Sequence, residues 1–253
     1  MHIVPRSTAL SSSPAGAGLR APARARSAGV RAARAYRPRR ESRSLFVQAR
    51  GLRHHVRCWE PQRRHACGAP TVFLLHGWMD VSASFQFVVD LLPGHWRLLA
   101  PDWRGFGLTE RSGAALRDYA SRDEVAARLM RGNPRLRPDF AGFLALHWAR
   151  ENAAGRFELL ADPAHRISSP ILYRVPEVVA CWWAITAPVL WVLAEHTSEA
   201  MSFVHGAEYR RRLQAIRSLR EATVAGAGHM LHHDRPDEVA RLVVDHLATA
   251  PAA

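Results

Sequence analysis

Two short apolar runs, TVFLL at residues 71–75 and WRLLA at residues 96–100, constrain this chain more than any other feature. Each has the length of a strand and little polar interruption, the pattern of a strand covered on both faces. Between them Phe85, Val88, Val89 and Leu92 recur at three-to-four spacing, which predicts a helix over 82–92 with Ser82 or Ser84 as its cap. Strand, helix and strand at this spacing make a βαβ unit, so the sheet is at least partly parallel.

The rest of the chain fits around that unit. Residues 44–60 alternate apolar and polar side chains (Leu52, His54, Val56, Cys58), predicting two short strands around Gly51. Residues 61–70 read as a polar loop. Residues 116–162 read as helices, with DEVAARLM and FAGFLALHWA at helical spacing on either side of GNPRLRP. A further helix is expected over 177–185. The apolar run 178–194 is short for a membrane span and is broken by Pro188. A helix end, a turn at Thr186–Pro188 and a buried strand VLWVLA explain it better. Residues 207–219 predict an Arg-rich helix, 221–226 a strand, and 237–247 a closing amphipathic helix with Pro236 at its first turn.

With 253 residues, 48% of them hydrophobic, the chain can bury one core of ordinary size. Its net charge of +13 is uneven: residues 1–43 carry ten Arg and one acid, a contribution of +9, and the other 210 residues carry +4. A body so near neutrality offers no clustered cationic face, so no nucleic-acid partner is expected. Residues 1–43 are Arg, Ala, Pro and Ser with few large apolar side chains, and are expected to be disordered. Their composition is that of an organelle transit peptide, but translated GC-rich spacer is the preferred reading. The cysteines, Cys58, Cys67 and Cys181, form no C-x-x-C pair, so neither a disulfide framework nor a structural zinc is implied. That favours a reducing, cytoplasmic setting, with an organelle as the alternative if the first 43 residues are a targeting signal.

Four segments in order resemble the α/β-hydrolase superfamily, esterases and lipases among them: FLLHGW (73–78), APDWRGFGLTE (100–110), TAPVLWVLAEH (186–196) and GAGHMLHHDRPDEVARLV (226–243). The resemblance covers residues 44–112 and 186–248. It implies an α/β fold, a mostly parallel sheet with helices on both faces, in a domain over 44–253, with residues 114–185 as a helical cap. It implies an oxyanion turn at Gly77 and Trp78, whose backbone N–H groups stabilise developing negative charge. It also implies that His229, freed by Gly226 and Gly228 to turn off a strand end, is the general base. His76 is read as a structural histidine of the turn. His232, His233 and Asp234 are not read as a metal site, because adjacent histidines on a short stretch point different ways, and His-Asp before a Pro-started helix reads as a cap.

The resemblance also shows what is missing. No Ser, Cys or Asp has Gly at both −2 and +2, so no nucleophile elbow is identified. The usual helix, central strand, elbow, helix and strand after the second motif are absent, with the junction near residues 111–116, so the central strands are expected to be missing. The position for the acid falls near Thr197; Glu195 is the candidate, with Glu199 nearby. The expectation is a hydrolase resembling serine ester hydrolases, impaired or inactive, acting on a small apolar ester-like molecule with no cofactor and no metal. Ser112, Ser168 and Ser169 are the surrogate nucleophiles to consider. The alternative is a non-catalytic binding or regulatory protein on the same scaffold, with Trp148, Trp182 and Trp183 lining an apolar pocket.

Overall fold

In the computed structural model, residues 35–62, 70–110, 118–166, 172, 174–197 and 203–249 are described. Strands β1 (Arg43–Ala49) and β2 (Leu52–Trp59) pair antiparallel. Arg50 and Gly51 join them, both at positive φ, which is the two-residue turn whose twist suits a hairpin. β3 (Thr71–Phe73) leads through the HGW turn to a 3-10 turn (Ser82–Phe85), helix α1 (Gln86–Val89) and strand β4 (Arg97–Pro101). β3 and β4 are parallel and β2 and β4 antiparallel, giving the order β1-β2-β4-β3. The expected βαβ unit is there, but its helix is shorter. Neither serine caps it: Ser82 N–H donates to Asp102 and Ser84 Oγ donates to Asp80.

The segment expected to be all helix is mixed. β5 (Asp118–Tyr119), α2 (Arg122–Gly132), α3 (Pro138–Trp148), β6 (Ala149–Glu151) and β7 (Phe157–Leu159) follow in turn, and β5, β7 and β6 form a small antiparallel sheet. Asn152 makes the reversal between β6 and β7, its side-chain oxygen accepting from the N–H groups of Ala154 and Arg156. This local Asx chemistry competes with helix. Ser121 caps α2 by accepting from Glu124 N–H, while Glu124 reaches back to Ala120 N–H.

A 3-10 turn (Pro163–Arg166) and helix α4 (Val175–Trp183) precede β8 (Val189–Ala194), α5 (Ala207–Leu213), β9 (Leu219–Val224), α6 (Leu231–Asp234) and α7 (Pro236–Thr249). The apolar run 178–194 is thus a helix end, a turn and a strand. No helix among the described residues is long and apolar enough to cross a membrane.

β8 and β9 are parallel and form a sheet of their own. Among the described residues no strand joins β3 to β8. Helix α7 bridges the two sheets: Val239 packs against the cluster of Trp59, Leu98 and Ala100 and also against that of Ala194 and Val224. A third cluster holds α2 and α3 around Phe87, whose ring stacks on Phe140 at 3.7 Å.

The disordered tail expected over 1–43 lies outside the described residues as far as 34. From residue 35 the chain is packed, which corrects the boundary. Tyr36 meets Phe87, Phe140 and Phe143 edge-on and its hydroxyl donates to Asp90. The same carboxylate accepts from the N–H groups of Arg39 and Arg40. The buried Arg40 guanidinium donates to the carbonyls of Trp59, Glu60 and Trp96. One aromatic ring and one arginine, anchored through Nη2, order a stretch whose composition alone reads as disordered.

Candidate functional site

Asp102 organises the turn after β4. It is buried, and accepts from His55 Nδ1 at 2.6 Å, Ser82 N–H at 2.6 Å and Leu108 N–H at 3.1 Å. Burial opposes its ionisation, but the His55 hydrogen bond and the two backbone donors hold its carboxyl below the usual carboxylate range. Gly107, at φ 54°, lies against this carboxylate, and a Cβ there would come within 2.2 Å of it. The Asp-x-x-x-x-Gly spacing therefore has a steric reason.

His76 joins that turn to the one after β3. Its Nε2 accepts from Trp103 N–H at 3.1 Å, which puts the proton on Nδ1, and Nδ1 donates to Gly77 O at 2.8 Å. Trp103 Nε1 donates back to His76 O at 2.7 Å. His76 thus has the structural part expected of it. The N–H groups of Gly77 and Trp78 donate to no group among the described residues. Trp78 is 70% exposed. Met79 takes φ 63°, a left-handed backbone costing a non-glycine residue about 1–3 kcal/mol, and such strain gathers at functional turns.

His229 is exposed at the end of a clamped loop. Glu195 Oε2 accepts from Gly226 N–H at 2.7 Å, His196 N–H donates to Ala227 O at 2.9 Å, and Asp234 Oδ2 accepts from Gly228 N–H at 2.8 Å. Asp234 also accepts from Asn133 Nδ2 at 2.6 Å, which ties the loop to α2's end. Glu195 therefore holds the loop and is not joined to His229. His229 has no hydrogen-bond partner among the described residues. Thr197, at the position expected for the acid, pairs with His205 Nε2 at 2.9 Å. Glu199 and the serines 112, 168 and 169 lie outside the described residues.

A cavity of about 810 Å³ brings these pieces together. Trp78, Met79, His229 and Met230 line it together with Leu129, Leu136, Leu144 and Trp148, and Arg128 and Arg131 of α2 add cationic groups. Trp78 of the HGW turn and His229, apart in sequence, share this space. No Ser, Thr, Cys, Asp or Glu is among its described lining residues. Trp148 Nε1 is a buried donor without a described partner. Of the three tryptophans expected to line a pocket, Trp148 does so. Trp182 instead packs on Trp191 with ring centres 6.0 Å apart, and Trp183 is exposed.

Sequence reasoning missed the roles of Asp80 and Asp234. Asp80 follows the HGW turn, accepts from Ser84 Oγ at 2.9 Å and from His232 Nε2 at 3.2 Å, and so ties that turn to the His229 loop. Burial opposes its charge, but the His232 hydrogen bond, the charges of both neighbouring imidazoles and Val81 N–H keep its carboxyl low. Burial, with the charge of His232, pushes His233 down to about 3. No local pattern signals a contact across 152 positions.

Comparison with known proteins agrees with this geometry. The family model described as the alpha/beta hydrolase fold matches residues 70–151. An uncharacterized hydrolase of Saccharomyces cerevisiae is 47% identical over 45 residues, 18% of this chain and 16% of that protein. The chain thus matches about one-sixth of the length of the curated relatives it resembles. Among solved structures, a thioesterase domain from the curacin biosynthetic pathway superposes with a TM-score of 0.67 at 14% identity, covering 81% of this chain and 99% of that one. An esterase from Mycobacterium tuberculosis superposes with a TM-score of 0.62 at 13% identity, covering 83% and 92%. Four motifs in order, the match of residues 70–151 to the family model and the architecture shared with these structures give this chain the α/β-hydrolase fold.

Proposed function

We propose that this chain is an impaired hydrolase of ester-hydrolase ancestry, which keeps an oxyanion turn and a histidine over an apolar pocket but has lost the nucleophile. The observation that carries this reading is the lining of the cavity, where His229 and Trp78 meet and no described hydroxyl, thiol or carboxylate faces them. The gap between β3 and β8 supports it, since a central strand and its elbow would lie between those two parallel halves. Loss of the nucleophile in such a triad costs about a million-fold in turnover, leaving only the oxyanion and binding contributions. The ligand class that fits is a small apolar ester or a related carbonyl compound, with Trp148 Nε1–H and the turn N–H groups as donors. We place the chain in a reducing, cytoplasmic setting, consistent with Cys58 and Cys181 being unpaired.

The test is hydrolysis of a short-chain nitrophenyl ester by the purified chain beside His229→Ala, together with labelling by a serine-reactive phosphonate. The expected result is no rate above buffer in either protein and no labelled serine. A rate that the variant loses, or a labelled serine, would overturn the reading. The alternative, a non-catalytic binding protein, is favoured by the apolar wall of Leu129, Leu136, Leu144 and Trp148. It predicts saturable binding of a non-hydrolysable apolar ketone that quenches tryptophan fluorescence.

A further inference from the structure

We propose that Asp80, His232 and His233 form a binding site for a first-row divalent transition metal of the zinc class, bordering the cavity that holds His229. One donor atom from each of the three residues lies within 4.8 Å of the other two. The Asp80 Oδ2 to His232 Nε2 separation is 3.2 Å. Metal–ligand bonds of 2.0–2.1 Å in a tetrahedron set neighbouring donors about 3.3 Å apart. That edge is therefore already at its liganded length, and a small side-chain rotation would bring in the third donor.

His233 carries the argument furthest. It is 3% exposed, and its Nε2 is buried with no hydrogen-bond partner. Buried polar atoms are nearly always satisfied, so an orphaned ring nitrogen on a residue grouped with a carboxylate and a second imidazole needs an explanation. A hydrogen-bonded tie between Asp80 and His232 accounts for those two residues and leaves His233 unexplained. A metal accounts for all three. It would replace the proton that now joins His232 to Asp80, and that imidazole would keep a proton on Nδ1.

The surroundings suit an ion. Ser84 Oγ and Val81 N–H orient the Asp80 carboxylate, as outer partners of a ligating carboxylate do. The His232 ring lies 5.5 Å from Phe85 and the His233 ring 5.9 Å from Phe87, which keeps water from that side. His233 also lines the cavity, so a position can stay open toward it. Two imidazoles and one carboxylate favour zinc, cobalt or nickel over magnesium or calcium, which take oxygen ligands. Adjacent histidines on a helix ordinarily diverge; here the two rings have centres 4.2 Å apart, with Asp80 beside them.

The inference goes beyond the ester-pocket reading and is decided by metal binding alone. Metal-free full-length protein is titrated with Zn²⁺ by calorimetry and with Co²⁺ by visible absorption. The expected result is one ion per chain, tetrahedral Co²⁺ bands and a higher melting temperature. Asp80→Asn and His233→Gln should each weaken binding by about 100-fold, and Ser84→Ala by about tenfold. Asp80 also supports the fold, so His233→Gln is the decisive variant: it keeps a polar side chain of similar reach, removes the imidazole donor and should melt close to metal-free wild type. Folded wild type that takes up no ion would overturn the proposal. So would equal affinity in His233→Gln and wild type, which would put the metal on others of the 14 histidines.

Discussion

Gly77 and Gly107 stand in neighbouring turns of the site under opposite constraints. A Cβ at Gly77 would meet nothing within 4 Å, and its φ lies outside the left-handed region. A Cβ at Gly107 would come within 2.2 Å of the buried Asp102 carboxylate, at a φ of 54°. Gly107→Ala is therefore expected to cost about 2–4 kcal/mol, adding backbone strain to overpacking against a charge that three donors hold in place. Gly77→Ala should stay within about 0.5 kcal/mol of wild type. Denaturant melts of the two variants side by side check this, and equal losses would show that Asp102 is free to move away.

At the scale of elements, the weak point is the pair of strand edges facing the gap. Among the described residues β3 pairs only with β4 and β8 only with β9, so each has a second side with no described strand partner. Parallel strands are normally covered on both faces, but Phe73 is 63% exposed and Leu75, just beyond β3, 56%. Unprotected apolar edges template pairing between chains. The protein should scatter light increasingly as its concentration rises. Phe73→Lys, which puts a charge on the edge, should raise the concentration at which scattering begins without lowering the melting temperature. Unchanged scattering in that variant would place the association elsewhere. The missing elbow and the abrupt passage from Thr109–Glu110 into the cap-like segment are what raise the expectation of absent central strands. They do not reveal that α7 spans the gap through Val239, because a helical period shows which face is apolar and not what that face touches.

Across the whole molecule, the half-buried His147 and the buried His233 make stability depend on pH. Burial, with the charge of Arg57 adding to it, lowers His147 from 6.5 to about 4, and burial lowers His233 from 6.5 to about 3. Both are neutral in the folded protein and become protonated on unfolding once the pH falls below 6.5. The unfolded state then binds more protons, so stability is fully present above pH 6.5 and declines toward about pH 4. Each histidine contributes up to about 1.4 kcal/mol per pH unit in that window. Urea melts of the metal-free protein at pH 7, 6 and 5 should show a steepening loss, and His147→Gln with His233→Gln should flatten it. A wild-type profile that is flat over this range would show that both rings reach water.

Much of the fold and part of the site were legible in the chain itself. The βαβ unit, the two strands on either side of Gly51, the closing helix after Pro236, the structural role of His76 and the two turns carrying Gly77 and Gly107 follow from apolar period, turn chemistry and local spacing. These act over a few residues and are written in order. The tertiary structure alone decided that Tyr36 and Arg40 are core, that Glu195 holds Gly226 and leaves His229 alone, and that Asp80 meets His232 and His233 across 152 positions. Such meetings depend on how whole elements pack, a sum over many distant contacts, and no local pattern along the chain encodes that sum.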